Sequence, residues 1–202
     1  MNYSFRQITK KDYPKIRELD KKIYPTSKPV TKKTLAVWYS KNPEFGLVLK
    51  KGKNVAGYLI SIPLSKKGSE KLISGKLAEA EMTDKHIFDS KRDNEVYIHI
   101  YHIEKFIKKK SLSKIMLEEL MKKVQKSKVK GFSAYCVTPS GIGLFEKLKF
   151  KEGKYISKEH IMKKGKKIFV FELSPEKLKQ KLKEGYSLVT RCKMLVSRTP
   201  KQ

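Results

Sequence analysis

The stretch EVYIHIYHIEKFIKKKSLSKIMLEELMKKV, residues 95–124, decides the fold. Its first part suits a pleated sheet, because Tyr97, Ile98, Ile100, Tyr101 and Ile103 are aromatic or β-branched. From Leu112 the period changes: Leu112, Ile115, Met116, Leu120 and Val124 fall on one helical stripe. Between the two lies Lys108-Lys109-Lys110-Ser111-Leu112-Ser113. A helix that begins here aims its first backbone N–H groups back at the strand end, and these with the helix dipole form an anion site. Lysines are poor dipole partners at a helix N-terminus but good partners for a bound phosphate. The competing reading is a solvated basic turn.

Downstream, Lys126, Lys128 and Lys130 precede Gly131, a basic helix end with glycine beyond it. Residues 132–137 are a continuous apolar run, as a buried parallel strand requires. A right-handed crossover would set this strand beside that of residues 95–103. Upstream, residues 3–8 alternate as a first strand. Thr9 and Asp12 have capping-box spacing ahead of a helix whose buried stripe is Tyr13, Ile16, Leu19 and Ile23. Pro25 and Pro29 end it. Thr31 caps a second helix carrying Leu35, Val37, Trp38 and Tyr39, closed at Asn42-Pro43. Residues 45–49 and 55–62 read as a hairpin turning at Gly52 and Asn54, with Pro63 ending the second strand.

The segment at 64–94 is too long for a plain connection. Ser65 caps one short helix in it, and Thr83-Asp84 start another near Ile87 and Phe88. Residues 151–156 and 166–173 form an antiparallel pair. Ser174-Pro175-Glu176 opens a last helix.

Two motifs here resemble the GNAT superfamily of acetyl-CoA-dependent N-acyltransferases. The first is Lys114-Ile115-Met116-Leu117-Glu118-Glu119-Leu120, similar to the family's K-x-L-L-E-E-L helix. It follows Lys108-x-x-Ser111-x-Ser113, where the family has Arg/Gln-x-x-Gly-x-Gly/Ala. The second is TPSGIGLFEKLKF, residues 138–150, similar to N-x-x-A-x-x-L-Y-E-K-L-G-F through Leu144, Glu146, Lys147, Leu148 and Phe150. Val55-Ala56-Gly57-Tyr58 also resembles the family's V-x-G-Y. Departures are Ser111 and Ser113 for the glycines, Thr138 for Asn, Gly141 for Ala, Lys149 for Gly, and Phe145 for the Tyr that often protonates the leaving thiolate. Serine carries a Cβ that hinders close backbone approach to a pyrophosphate, and Phe donates no proton.

The resemblance implies an α+β (α/β/α) fold: a GNAT-like mixed, mostly antiparallel twisted sheet whose central parallel strand pair is splayed for the cofactor. It covers nearly the whole order of elements. It implies a single domain over 1–202, with an insertion at 64–94 between strands 3 and 4 and a C-terminal extension at 174–202. Within the insertion, Leu64 to Phe88 is expected to be a substrate-side flap or a packed surface insertion.

Acetyl-CoA is the implied co-substrate. Its pantetheine arm would lie on the backbone of Tyr101, His102 and Ile103. Its phosphates would lie at Lys108, Lys109, Lys110, Ser111, Leu112 and Ser113, with Thr138 and Phe145 alongside. Trp38 is either core or a wall of the acceptor site.

Candidates for acid–base work are His99, whose ordinary pKa suits a general base, and Tyr135 as an acid. By alternation Tyr97, His99 and Tyr101 share one sheet face, and Ile98, Ile100 and His102 the other. Each is also readable as a packed or hydrogen-bonded sheet residue. Glu79, Glu81 and Glu104 are further carboxylates. No Ser-His-Asp order, clustered His/Cys metal set or Walker-type loop is present.

The 202 residues carry 48 Lys+Arg against 20 Asp+Glu, a formal charge of +28. Hydrophobic content of 39% suffices for a core, with a mean hydropathy of -0.56. Such charge favours anionic partners: nucleic acid, an acidic protein, a phosphorylated cofactor or an anionic membrane surface. Its dominance by Lys over Arg argues for a diffuse field rather than base reading. Cys136 and Cys192 lack metal-ligand spacing and read as reduced thiols. With no apolar run of spanning length, a cytoplasmic protein is expected.

Two functions therefore stand: an acyl-CoA-dependent N-acyltransferase acetylating an unidentified amine, or a catalytically inactive GNAT-fold regulatory protein whose basic surface binds nucleic acid or an acidic partner. The lysines and intact helix favour the first, and the lost glycines and tyrosine the second.

Overall fold

The structure, a computed structural model, describes residues 3–23, 30–107, 112–136, 141, 143–144, 151–152 and 169–173. One sheet runs in the order β1-β2-β3-β4-β5-β7-β6. Its strands are β1 (Tyr3–Gln7), β2 (Gly46–Lys51), β3 (Asn54–Leu64), β4 (Val96–Lys105), β5 (Val129–Cys136), β6 (Lys151–Glu152) and β7 (Phe169–Leu173). The helices among the described residues are α1 (Tyr13–Ile23), α2 (Lys32–Tyr39), α3 (Lys66–Ile73) and α4 (Leu112–Lys123). All neighbouring strands are antiparallel except the central pair β4–β5, which is parallel. The fold class read from the sequence is the one observed.

Local chemistry accounts for the helix starts. The Asp12 carboxylate takes the Thr9 amide at 2.8 Å and the Thr9 hydroxyl at 2.9 Å, and receives both Arg6 guanidinium nitrogens at 2.7 Å. Thr31 Oγ1 accepts the Thr34 amide at 3.0 Å to open α2, and Ser65 Oγ accepts the Gly68 amide at 3.1 Å to open α3. Tyr13, Ile16 and Leu19 are buried as expected, while the Ile23 side chain and Pro25 and Pro29 lie outside the described residues. A helix as short as α4 is marginal alone, so packing holds it. Leu112, Met116, Leu117 and Leu120 are almost fully buried, each burial contributing about 1.5–3 kcal/mol.

Three local expectations are corrected. Pro63 does not end β3, which runs on to Leu64 with Pro63 opposite Ile98. The last β2–β3 pair is Gly46↔Ile60, so β2 has already ended beside Pro63, and its missing N–H breaks no ladder bond there. That edge is instead met by the Phe88 amide, 2.9 Å from the Pro63 carbonyl, and by a bridge between Leu64 and Ile87. For the same reason Thr83-Asp84 start a single turn and no helix: the chain goes straight into the bridge, with the His86 amide closing on the Thr83 carbonyl at 2.8 Å. Gly131 lies inside β5 opposite Tyr97, the helix having ended with the Ser127 amide on the Val124 carbonyl.

Two irregularities shape the centre. The β3–β4 register steps from Ile60↔His102 to Ser61↔Ile100, so Tyr101 is the extra residue of a bulge. The β4–β5 register runs from Val96↔Val129 to Ile100↔Ala134, while β4 continues to Lys105 and β5 to Cys136. Bulge and last parallel pair thus adjoin.

Candidate active site

Two polar clusters flank the end of the parallel pair. The first is built by the bulge. Strict alternation would send Tyr101 and His102 to opposite faces. Instead both reach Asp20 of α1, which corrects the facing expected for His102: the extra residue at Tyr101 resets the alternation. The Tyr101 hydroxyl donates to Asp20 Oδ1 in a short hydrogen bond, and His102 Nε2 lies 3.9 Å from the same oxygen. Asp20 Oδ2 accepts the Val30 amide at 2.7 Å. Trp38 of α2 meets the Tyr101 ring edge-on at 5.2 Å, and Tyr101 meets the His102 ring at 4.7 Å.

Burial pushes the Asp20 carboxyl up, but the nearby His102 and the hydrogen bonds from Tyr101 and the Val30 amide outweigh it and hold the group below its ordinary value. The carboxylate is therefore ionised at neutral pH although it is 1% exposed. The Trp38 indole N–H is fully buried and has no hydrogen-bond partner among the described residues, a donor that a ligand oxygen or a water would satisfy.

The second cluster joins β4 and β5 to the segment between β3 and β4. His99 stands opposite Ser133, its Nδ1 2.9 Å from Ser133 Oγ. His99 Nε2 is 3.4 Å from Glu79 Oε1, at ion-pair range but without hydrogen-bond geometry. The Tyr135 ring packs edge-on to His99 at 4.9 Å, and its hydroxyl donates to the Leu72 carbonyl of α3 at 2.5 Å. The structure thus brings the two candidates His99 and Tyr135 together, beneath α3 and the turn at Glu79–Glu81. His99 is fully buried.

Among the other sequence candidates, Ile103 lies opposite Leu59 on β4 beyond the last β4–β5 pair. Leu112 and Ser113 open α4 and are buried. Lys108, Lys109, Lys110, Ser111, Thr138 and Phe145 lie outside the described residues. Asp20 escaped the sequence reading. Its signal was present: it sits four residues after Ile16, a carboxylate on the apolar stripe of a helix rich in lysine and arginine.

No family model matches this sequence, and no curated protein does. Solved structures do match in shape. Arabidopsis thaliana Naa50, solved with the bisubstrate analogue CoA-Ac-MVNAL, aligns over 86% of this chain and 99% of its own, at 12% identity and a TM-score of 0.60. Arabidopsis thaliana NAA60, solved with acetyl-CoA, aligns over 87% and 99%, at 13% identity and a TM-score of 0.54. The diaminobutyrate acetyltransferase EctA of Paenibacillus lautus, solved with L-2,4-diaminobutyric acid and coenzyme A, aligns over 86% and 95%, at 10% identity and a TM-score of 0.51.

The chain has the GNAT fold. At these identities the likeness is one of architecture, and chemistry has to be argued from this chain's residues. In the GNAT frame, Tyr101, His102 and Ile103 are the β4 residues that follow the last parallel pair. Among the described residues, no helix is long and apolar enough to cross a membrane.

Proposed function

We propose that the chain is an acyl-CoA-dependent N-acyltransferase that uses acetyl-CoA to acetylate an amine acceptor. One observation carries the reading: in a GNAT fold, β4 and β5 are paired in parallel only as far as Ile100↔Ala134, and β4 goes on to Lys105. An extended pantetheine arm fits beside a strand that has left its neighbour, held by main-chain contacts that tolerate changes of side chain. This supports binding despite Ser111 and Ser113. The lysines at 108–110 supply positive charge for the phosphates, and the start of α4 at Leu112 supplies backbone N–H groups.

In the reaction the acceptor nitrogen attacks the thioester carbonyl carbon. The N–C bond forms, and the C–S bond breaks with its electron pair on sulfur. The nitrogen loses a proton and the thiolate gains one. Positioning the two reactants supplies much of the rate. Tyr135 is the candidate acid for the thiolate, in place of the tyrosine that Phe145 replaces, and His99 is the candidate base from the sequence. The ionised Asp20, held behind Tyr101 and His102, adds local negative charge in an otherwise positive protein and so attracts a cationic amine without touching it.

The test is calorimetric titration of acetyl-CoA in moderate salt, with ATP as polyanion control, followed by mass spectrometry of a panel of amines. Selective binding and a mass gain of one acetyl group are expected. Equal binding of ATP and acetyl-CoA, or no acetylation of any amine, overturns the reading and turns attention to a binding protein.

A further inference from the structure

The sequence names His99 as proton acceptor, yet the bulge sets a second histidine beside a buried carboxylate where the strands part. His99 lies within the β4–β5 pairing, opposite Ser133 and against Glu79. His102 lies past the last pair, on the part of β4 where the proposed reading puts the thioester. Its Nε2 is 3.9 Å from Asp20 Oδ1, and the same oxygen holds the Tyr101 hydroxyl.

We propose that His102 takes the proton from the acceptor amine and that Asp20 is the positioning carboxylate that orients it; this rests on the acyltransferase reading. The nitrogen lone pair makes the N–C bond, the C–S electrons leave with sulfur, and the amine proton goes to the His102 imidazole. Ionised Asp20 then faces the imidazolium and stabilises it. Tyr101 completes the arrangement. Its hydroxyl and the Val30 amide each hold one carboxylate oxygen, so Asp20 cannot rotate away, and its ring packs on that of His102.

The bulge is what makes this possible, because it turns two consecutive residues of one strand toward one carboxylate. Asp20 touches neither substrate and acts through His102. Among the described residues, the elements around the pair also carry Glu104 and Arg17. Glu104, also on β4, is opposite Tyr58 on β3, and Arg17 of α1 donates to the Val30 carbonyl at 3.2 Å.

The experiment compares wild type with Asp20→Asn, Asp20→Glu, His102→Gln and His99→Gln, measuring kcat and KM for acetyl-CoA with the amine found above. His102→Gln is expected to lower kcat on the order of 100-fold. Asp20→Asn is expected to lower it about 10- to 100-fold, with KM for acetyl-CoA changed less than threefold and partial rescue in Asp20→Glu. Retained calorimetric binding of acetyl-CoA certifies each variant as folded. If Asp20→Asn does not fold, His102→Gln and Tyr101→Phe carry the test. A His102→Gln variant that keeps its kcat overturns the proposal, as does loss of turnover in His99→Gln alone. So does a rise in KM for acetyl-CoA in Asp20→Asn with kcat unchanged. A wild-type protein that neither binds acetyl-CoA nor acetylates any amine overturns the acyltransferase reading and this inference with it. Turnover in wild type with unchanged Asp20→Asn overturns the inference alone.

Discussion

The hydroxyl of Tyr101 donates to Oδ1 of Asp20 across 81 residues of chain, tying the first helix to the bulge of the central strand. Asp20→Ala strips the partner from this hydroxyl and from the Val30 amide. Taking this carboxylate from one buried amide and one half-buried hydroxyl costs about 2–4 kcal/mol. For a chain of this size that lowers Tm by roughly 5–15 °C, read by calorimetry or circular dichroism. Tyr101→Phe removes one hydrogen bond and leaves the Val30 contact, so its expected cost is about 1–2 kcal/mol. Equal stability of wild type and Asp20→Ala contradicts the tie.

Acid should unfold the protein partly through two aspartates. Burial raises both carboxyls, but the Arg6 and Thr9 contacts of Asp12, and the His102, Tyr101 and Val30 contacts of Asp20, win and leave each below its ordinary value. A depressed folded value gives stability that is fully present above the unfolded pKa of about 4 and is lost as pH falls through the folded value. Denaturant midpoints are therefore expected to be flat with respect to these groups at neutral pH and to decline below roughly pH 4. An Asp12→Asn, Asp20→Asn double variant should show a shallower decline. An unchanged acid slope would show that neither group carries it.

Gly68→Ala sets two effects against each other. Alanine favours a helix over glycine by about 1 kcal/mol. A Cβ at Gly68, however, would stand 2.1 Å from the His86 carbonyl oxygen, a backbone atom held by the Ser65 amide. Overpacking against fixed backbone costs about 1–3 kcal/mol or more, so net destabilisation is expected. Gly57→Ala should destabilise likewise, its Cβ falling 2.4 Å from the Glu104 carbonyl oxygen. Urea unfolding of the two variants reads both, and a stabilised Gly68→Ala would show that the turn at His86 yields freely.

Tyr135→Phe separates structure from chemistry. The bond to the Leu72 carbonyl fastens α3 over the His99 cluster, and its loss should cost about 1 kcal/mol. If Tyr135 also protonates the leaving thiolate, kcat falls by about 100-fold or more, beyond anything that loss of stability explains in a folded variant. Normal kcat with reduced Tm would leave Tyr135 as a fastener only.

Much of this was legible because it is written in local patterns. Period-two and helical stripes marked β4 and α4, side-chain oxygens at Thr9, Thr31 and Ser65 marked three helix starts, and Gly52 marked the hairpin, where it takes a positive φ of 61°. The parallel pair followed from the length of the crossover between the two strands. Each of these depends on neighbours within a few residues or on the length of one connection.

The bulge at Tyr101, the continuation of β3 through Pro63, the insertion of β7 between β5 and β6, and the meeting of Asp20 with His102 were not legible. They depend on which distant strand or helix lies alongside, and a one-residue shift in that pairing reverses every facing that alternation suggests. The sequence by itself determined the central strands, the four helices among the described residues and their order, since periodicity and capping are local physics. Only the tertiary structure decided which carboxylate stands beside which histidine, because register is set by burial across the whole sheet.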